Sequence, residues 1–270
     1  MMLQEVLFNE VNIEKLNQIK EKINNNIREN NIFSYPSIIK LNDIENIENN
    51  GDVQVWFRKY GKEYVMNEMM FIVEEKINGI NVGVFYDEEN KKVRLMTRNL
   101  IFNDIYSFYN KLHLRFPEMI VDYINERMKN EENLRKYIIF GELVDVRGNK
   151  FMKKYLKVGS IHWFIFDVYD RENNRFLSHQ EKYRLINREF EWLYMNGFSN
   201  LIIPFYGVKG LKNVFKSPIV KNVLSNKFKS VYSEYKNICG EGVVVKSLNV
   251  FENGERIIFK VKQNNFGEEC

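Results

Sequence analysis

Apolar residues change their period along the chain. Between 10 and 30, "EVNIEKLNQIKEKINNNIREN" sets Ile13, Leu16, Ile19, Ile23 and Ile27 three and four apart, which predicts a helix. Pro36 in "SYPSI" ends it and opens something new. From 70 onward the runs read as strands: "MFIVEEK" (70–76), "INVGVFY" (80–86) and "KVRLMTR" (92–98), the last two joined by the turn "DEENK". One helical stretch follows over 103–130, then strands over 137–146 and 160–169. A helix over 178–198 starts at the N-cap Ser178 and stops near Gly197. "GEGVVVKS" (240–247) and "RIIFKVK" (256–262) predict two closing strands. Strands outnumber helices and do not alternate with them, so the expected class is α+β, built on antiparallel sheets flanked by helices.

The strands carry polar residues where apolar ones pack best. "EEKINGIN" (74–81) sits between "MMFIV" and "VGVFY", and strand interiors disfavour Glu, Lys, Asn and Gly. Either this is a polar turn, or it holds a reactive lysine at a strand edge, with Gly79 letting a ligand approach the backbone. Later strands repeat the feature with Arg98, Glu142, Asp167, Glu241, Lys246, Lys260 and Lys262. Charges are rarely buried unless paired or bound. Lysines and carboxylates from separate strands, lining a cleft between sheets, suit a nucleoside triphosphate and a divalent metal.

Composition narrows the setting. A hydrophobic share of 44% and a charged share of 28% are those of an ordinary globular chain. No apolar run reaches the roughly 20 residues that span a bilayer, and the N-terminus lacks the pattern of a secretory signal. The two cysteines, Cys239 and Cys270, exclude a disulfide framework and a cysteine-rich zinc site, so an intracellular, cytoplasmic setting is expected. The net charge of +4 is mild, but its distribution is uneven. No acid occurs from Trp192 to Ser233, where Lys209, Lys212 and Lys216 fall, nor from Val146 to Phe166, where Lys153 and Lys154 fall. Such stretches either track a phosphate backbone or form solvated loops.

Taken in order, "EKING" (75–79), "TR" (97–98), "FGEL" (140–143), "FIFD" (164–167), "EGVVVK" (241–246) and "FKVK" (259–262) resemble the signature motifs of covalent nucleotidyltransferases. That superfamily comprises ATP-dependent DNA ligases, RNA ligases and capping guanylyltransferases. With "YPSI" (35–38), the Glu75–Lys76 pair and the paired lysines of "FKVK", the chain is most similar to the RNA ligase 2 group of phage and RNA-editing ligases. Members usually carry His two places after the lysine, and DNA ligases Asp; here it is Asn78, which hydrogen-bonds but is neither acid nor base.

The resemblance implies an ATP-grasp-like adenylation domain over 35–270, with a helical extension over 1–34, the nucleotide between the sheets, and neither an OB-fold nor a helical domain after it. It implies Lys76 as the nucleophile that takes AMP from ATP. Glu75, Asn78, Arg98, Glu142, Phe166, Lys246, Lys260 and Lys262 are then the ATP-binding set, with Phe166 stacking on adenine or else serving as a core aromatic. Glu241 and Glu142 become metal ligands for Mg2+ or Mn2+, and Asp167 supports the site. RNA ends or a nicked duplex are the implied partners, contacted by Lys153, Lys154, Lys209, Lys212 and Lys216, with a protein partner replacing the missing domain. A minimal DNA nick ligase and a non-catalytic nucleic-acid-binding relative are the alternatives.

Overall fold

Alternation of side chains along the strands sorts this chain into two sheets with unlike faces. The computed structural model describes residues 35–42, 47–145, 161–195, 202–231 and 239–266. The helix expected over 10–30, and with it the boundary at 34, lies outside them.

The chain begins with β1 (Ile39–Lys40), α1 (Gly51–Tyr60), a π-helical turn (Tyr64–Glu68) and β2 (Met70–Lys76). Next come β3 (Ile80–Asp87), β4 (Lys92–Met96), β5 (Ile101–Phe102), α2 (Ile105–Leu112) and α3 (Glu118–Asn130). β6 (Tyr137–Asp145), β7 (Ile161–Asp170) and β8 (Arg175–Phe176) precede α4 (His179–Glu189) and α5 (Glu191–Met195). β9 (Phe205–Gly210), α6 (Leu211–Lys216), α7 (Pro218–Leu224), β10 (Gly242–Ser247) and β11 (Ile258–Lys262) complete the order.

Strands β1-β11-β10-β2-β9 form one sheet and β5-β4-β3-β6-β7-β8 the other. Every ladder between named strands is antiparallel except β1 with β11. In the first sheet, Phe71, Val73, Val243, Val245, Phe259 and Val261 pack outward against α1, α6 and α7. The period of two then turns Glu74, Lys76, Val244, Lys246, Lys260 and Lys262 to the opposite face. The second sheet is apolar on both sides: Ile139, Ile165 and Val168 meet α3 and α4, while Phe140, Phe164 and Phe166 face the first sheet. No helix among the described residues is long and apolar enough to cross a membrane.

Three expectations change in detail. The helix over 103–130 is two helices, because His113 adopts a left-handed φ of 55° and Pro117 caps the second. The helix from Ser178 breaks at Phe190, although its capping box with Glu181 is present. Gly79 is needed for a close approach by the chain itself, since a Cβ there would lie 2.3 Å from the Leu143 carbonyl oxygen.

Candidate active site

The segment "EKING" is the corner where the chain leaves one sheet for the other. Lys76 ends β2 in the first sheet, and β3 begins at Ile80 in the second. The corner opens onto a cleft of about 410 Å3 between the sheets. Lys76, Asn78, Arg98, Glu142, Phe166, Lys246 and Lys260 line it, gathered from six separate places in the sequence.

Register explains the convergence around Lys76. Gly242 of β10 lies between Lys76 of β2 and Lys262 of β11. Its φ is 145°, and a Cβ would stand 2.1 Å from the Val261 carbonyl oxygen, so only glycine fits. Glu241, one residue earlier, therefore reaches both neighbours: Lys76 Nζ donates to Oε2 at 2.7 Å, and Lys262 Nζ pairs with Oε1 at 2.5 Å. Lys260 lies on the same face as Lys262. Burial, and then the charges of Lys76, Lys262 and Arg98, lower its pKa from the ordinary lysine value.

Across the cleft, Glu142 Oε1 accepts from Gly79 N at 2.9 Å. Burial, with Glu241 adding to it against the pull of Lys76, pushes the Glu142 carboxyl up to about 7. Among the described residues no group of three His, Cys, Asp or Glu forms a ready-made metal centre. Glu241 adds to the burial that opposes charge on Glu142, so a cation beside Glu142 would relieve it, and these two carboxylates are the ones whose chemistry suits such an ion. Two carboxylates suit Mg2+, which commonly keeps waters and takes its remaining ligands from substrate phosphates.

A β-bulge shapes the floor. Phe140 pairs with Asp167 but Gly141 with Ile165, so Phe166 has no partner opposite it. Such an extra residue turns two successive side chains to one face. Phe166 and Asp167 accordingly both face the first sheet. The ring of Phe166 meets Tyr35 edge-on at 4.9 Å between centroids, and Lys246 Nζ lies 5.4 Å from its centre.

Behind that ring is a buried charge cluster. Lys246 Nζ donates to the Phe166 carbonyl at 2.9 Å and lies 2.5 Å from Glu74 Oε2 and 3.2 Å from Asp167 Oδ2. Arg256 grips Asp167, with Nη1 donating to Oδ1 at 2.7 Å and Nη2 pairing with Oδ2, while Tyr35 Oη donates to Oδ2 at 2.6 Å. Burial opposes ionisation of Asp167, but Arg256 and then Lys246 outweigh it and hold its carboxyl low. Burial likewise opposes ionisation of Glu74, and Lys182 and Lys246 overcome it. Burial lowers Lys246 itself, against the pull of Asp167 and Glu74.

The other expected residues lie as follows. Glu75 borders the cleft, but its carboxylate is held by Tyr206 Oη at 2.7 Å and by Ser230 Oγ. Asp167 stands behind Phe166, inside the charge cluster. Lys209 pairs with Phe71, at the end of β2 remote from Lys76. Lys212 donates to Asn67 Oδ1 at 2.6 Å, and Lys216 is exposed on α6. Lys153 and Lys154 lie outside the described residues. Sequence reasoning missed Glu74, Lys182 and Arg256. The signal for Lys182 is its place three residues before Leu185 on the buried face of α4.

The same architecture occurs in solved structures. A Naegleria gruberi RNA ligase mutant with AMP and Mn aligns with a TM-score of 0.52 at 19% identity, covering 86% of this chain and 56% of that one. An archaeal ATP-dependent RNA ligase aligns with a TM-score of 0.50 at 17% identity, covering 86% of this chain and 48% of that one. The present chain thus spans about half the length of the ligases it matches. A search of curated proteins gave no match. The RNA ligase family model matches residues 69–262, a span running from β2 through β11, and the chain belongs to the RNA ligase family.

Proposed function

We propose that this chain is an ATP-dependent RNA ligase that seals 5′-phosphate to 3′-hydroxyl ends through a lysine–AMP intermediate. The observation that carries the proposal is Lys76 at the cleft mouth, hydrogen-bonded to Glu241 with Lys262 on the same carboxylate. Lys76 first leaves Glu241 and gives up a proton to solvent, since an ammonium has no lone pair. The amine attacks the α-phosphorus of ATP; a P–N bond forms and the bond to the bridging oxygen breaks, releasing pyrophosphate. A 5′-phosphate oxygen then displaces Lys76 from AMP. Finally the 3′-hydroxyl attacks the 5′-phosphorus and AMP departs.

Lys260 and Lys262 offset charge on the phosphates, while Phe166 supplies a face for the base and Lys246 holds its backbone. Arg98, exposed beside the cleft, and Asn78 take the sugar and phosphate side. Glu142 and Glu241 are the residues to hold Mg2+ or Mn2+, which when bound neutralises phosphate charge. Lys209, Lys212 and Lys216 contact the RNA backbone away from the nucleotide.

The test is incubation with α-labelled ATP or GTP and Mg2+, followed by intact-mass measurement. One AMP adduct is expected with ATP, none with GTP, and none in Lys76→Ala. An adduct that persists in Lys76→Ala would place the nucleophile elsewhere. Sealing of nicked RNA in preference to nicked DNA is the second expected result.

A further inference from the structure

Lys182 lies outside every motif of the adenylation set, yet it is only 2% exposed and reaches into the floor of the cleft. The capping box at Ser178 fixes the start of α4 and so directs Lys182 inward with Leu185 and Ile186. Its Nζ donates to Glu74 Oε1 at 2.6 Å and to the Phe166 carbonyl at 2.9 Å. These acceptors belong to different sheets. Glu74 stands two residues before Lys76 on β2, and Phe166 is the bulged residue of β7. The Phe166 carbonyl thus accepts from two ammonium groups, Lys182 from α4 and Lys246 from β10. A lysine serving only to fill the apolar face of α4 would be replaced without penalty by methionine, because burying an ammonium is costly.

We infer that Lys182 is a positioning residue for nucleotide binding, an inference that rests on the adenylyl-transfer reading of this cleft. It acts through Phe166 and Glu74. By fixing the peptide plane at the bulge it fixes the direction of the Phe166 ring, and by sharing Glu74 it keeps Lys246 from being drawn off the Phe166 carbonyl. Without Lys182, the polar group left beside Glu74 Oε1 among the described residues is His179 Nδ1, at 3.7 Å, too far for a hydrogen bond. Lys76 is held by Glu241, whereas Lys182 is held by Glu74 and the Phe166 carbonyl. Its loss therefore weakens binding of the nucleotide more than it slows the attack.

Single-turnover self-adenylation across a series of ATP concentrations tests this with the full chain, Lys182→Met and Lys182→Arg. In Lys182→Met the half-saturating ATP concentration is expected to rise about tenfold, and the saturating rate to fall less than about threefold, as for loss of a hydrogen bond to a charged group. Lys182→Arg, which keeps a cationic donor, restores at least half of the lost affinity on a logarithmic scale. Half-saturation within twofold of wild type in Lys182→Met overturns the inference, as does a loss confined to the saturating rate. Should Lys182→Met fail to fold, Glu74→Gln combined with Lys182→Met removes both ends of the pair; weakened ATP binding there supports the inference and wild-type binding overturns it. Absence of a lysine adduct in wild type sinks the functional reading itself, whereas an adduct with unchanged ATP dependence in Lys182→Met sinks the present inference alone.

Discussion

Glu142 ties the site to pH. Burial, then the neighbouring Glu241, push its carboxyl from the usual 4.5 up to about 7. Between those values the folded protein keeps a proton that the unfolded chain has released, so stability falls as pH rises through this window. At 1.36 kcal/mol per unit the loss is on the order of 3 kcal/mol. Glu142→Gln removes the titration, and its melting temperature is expected to stay level where that of wild type declines. A variant keeping the wild-type slope would assign the proton to another group. Glu74 and Asp167 act with the opposite sign: their carboxyls are held low, so their contribution is complete above the unfolded carboxylate range and disappears as pH falls below it. That acid limb remains in Glu142→Gln. That Lys76, Glu142, Glu241, Lys260 and Lys262 come together was legible from the ordered motif set and its resemblance, with charges interrupting apolar strands as the cue at each residue. Arg256 was not, since it lies just before β11 and its partner Asp167 is 89 positions away.

Among the elements, strand periodicity carried most of what could be read. β2, β3, β6, β7, β10 and β11 fall within a few residues of their expected spans: in the first sheet a face buried against helices enforces alternation, and in the second, apolar on both faces, β-rich runs bounded by turns mark the strands. α1 has only Val53 and Phe57 buried, too few to mark a helical stripe. β9 is an edge strand, half exposed along its length and irregular at Gly207, where φ is 111°, so no alternation marks it either. The bulge at Phe166 was equally hidden: an unbroken apolar run such as "WFIF" says nothing of which residue lacks a partner across the ladder. The corner at Gly79 offers a test of the fold's tolerance. A Cβ there meets the Leu143 carbonyl oxygen at 2.3 Å, and backbone cannot rotate away. Gly79→Ala is expected to lose about 1–3 kcal/mol of stability by overpacking, and to lose adenylation, because Gly79 N also orients Glu142. Gly51→Ala, at a position where nothing lies within 4 Å, is the control. Equal melting temperatures for the two variants would mean that the corner yields more easily than its contacts imply.

Across the whole molecule, the proposed nucleotide site and the lysines of β9 and α6 are separated. Lys209 pairs with Phe71, five residues along β2 from Lys76, which is about 17 Å at the rise of a strand. Lys212 and Lys216 follow on α6, and neither lines the cleft. ATP bound beside Lys76 therefore gains little from these lysines: Lys209 shares the helix-covered face of the sheet with its partner Phe71, and an RNA strand would reach it by crossing the exposed edge at β9. Each phosphate they neutralise releases counterions, and for single strands the logarithm of affinity falls by about 0.7 per contact with the logarithm of salt. Sealing by wild type is accordingly expected to drop steeply between low and physiological salt, while self-adenylation changes little. Replacing Lys209, Lys212 and Lys216 together with Gln is expected to reduce the salt slope of sealing by about 2 and to leave the rate of lysine–AMP formation within twofold of wild type. Both rates measured across one salt series decide the matter. If the triple variant keeps the wild-type slope, the RNA backbone runs over another surface and this face is solvated lysine alone. If self-adenylation shares the full salt dependence of sealing, the salt acts on the lysines inside the cleft, and the separation of the two proposed sites along β2 has no bearing on how RNA is held.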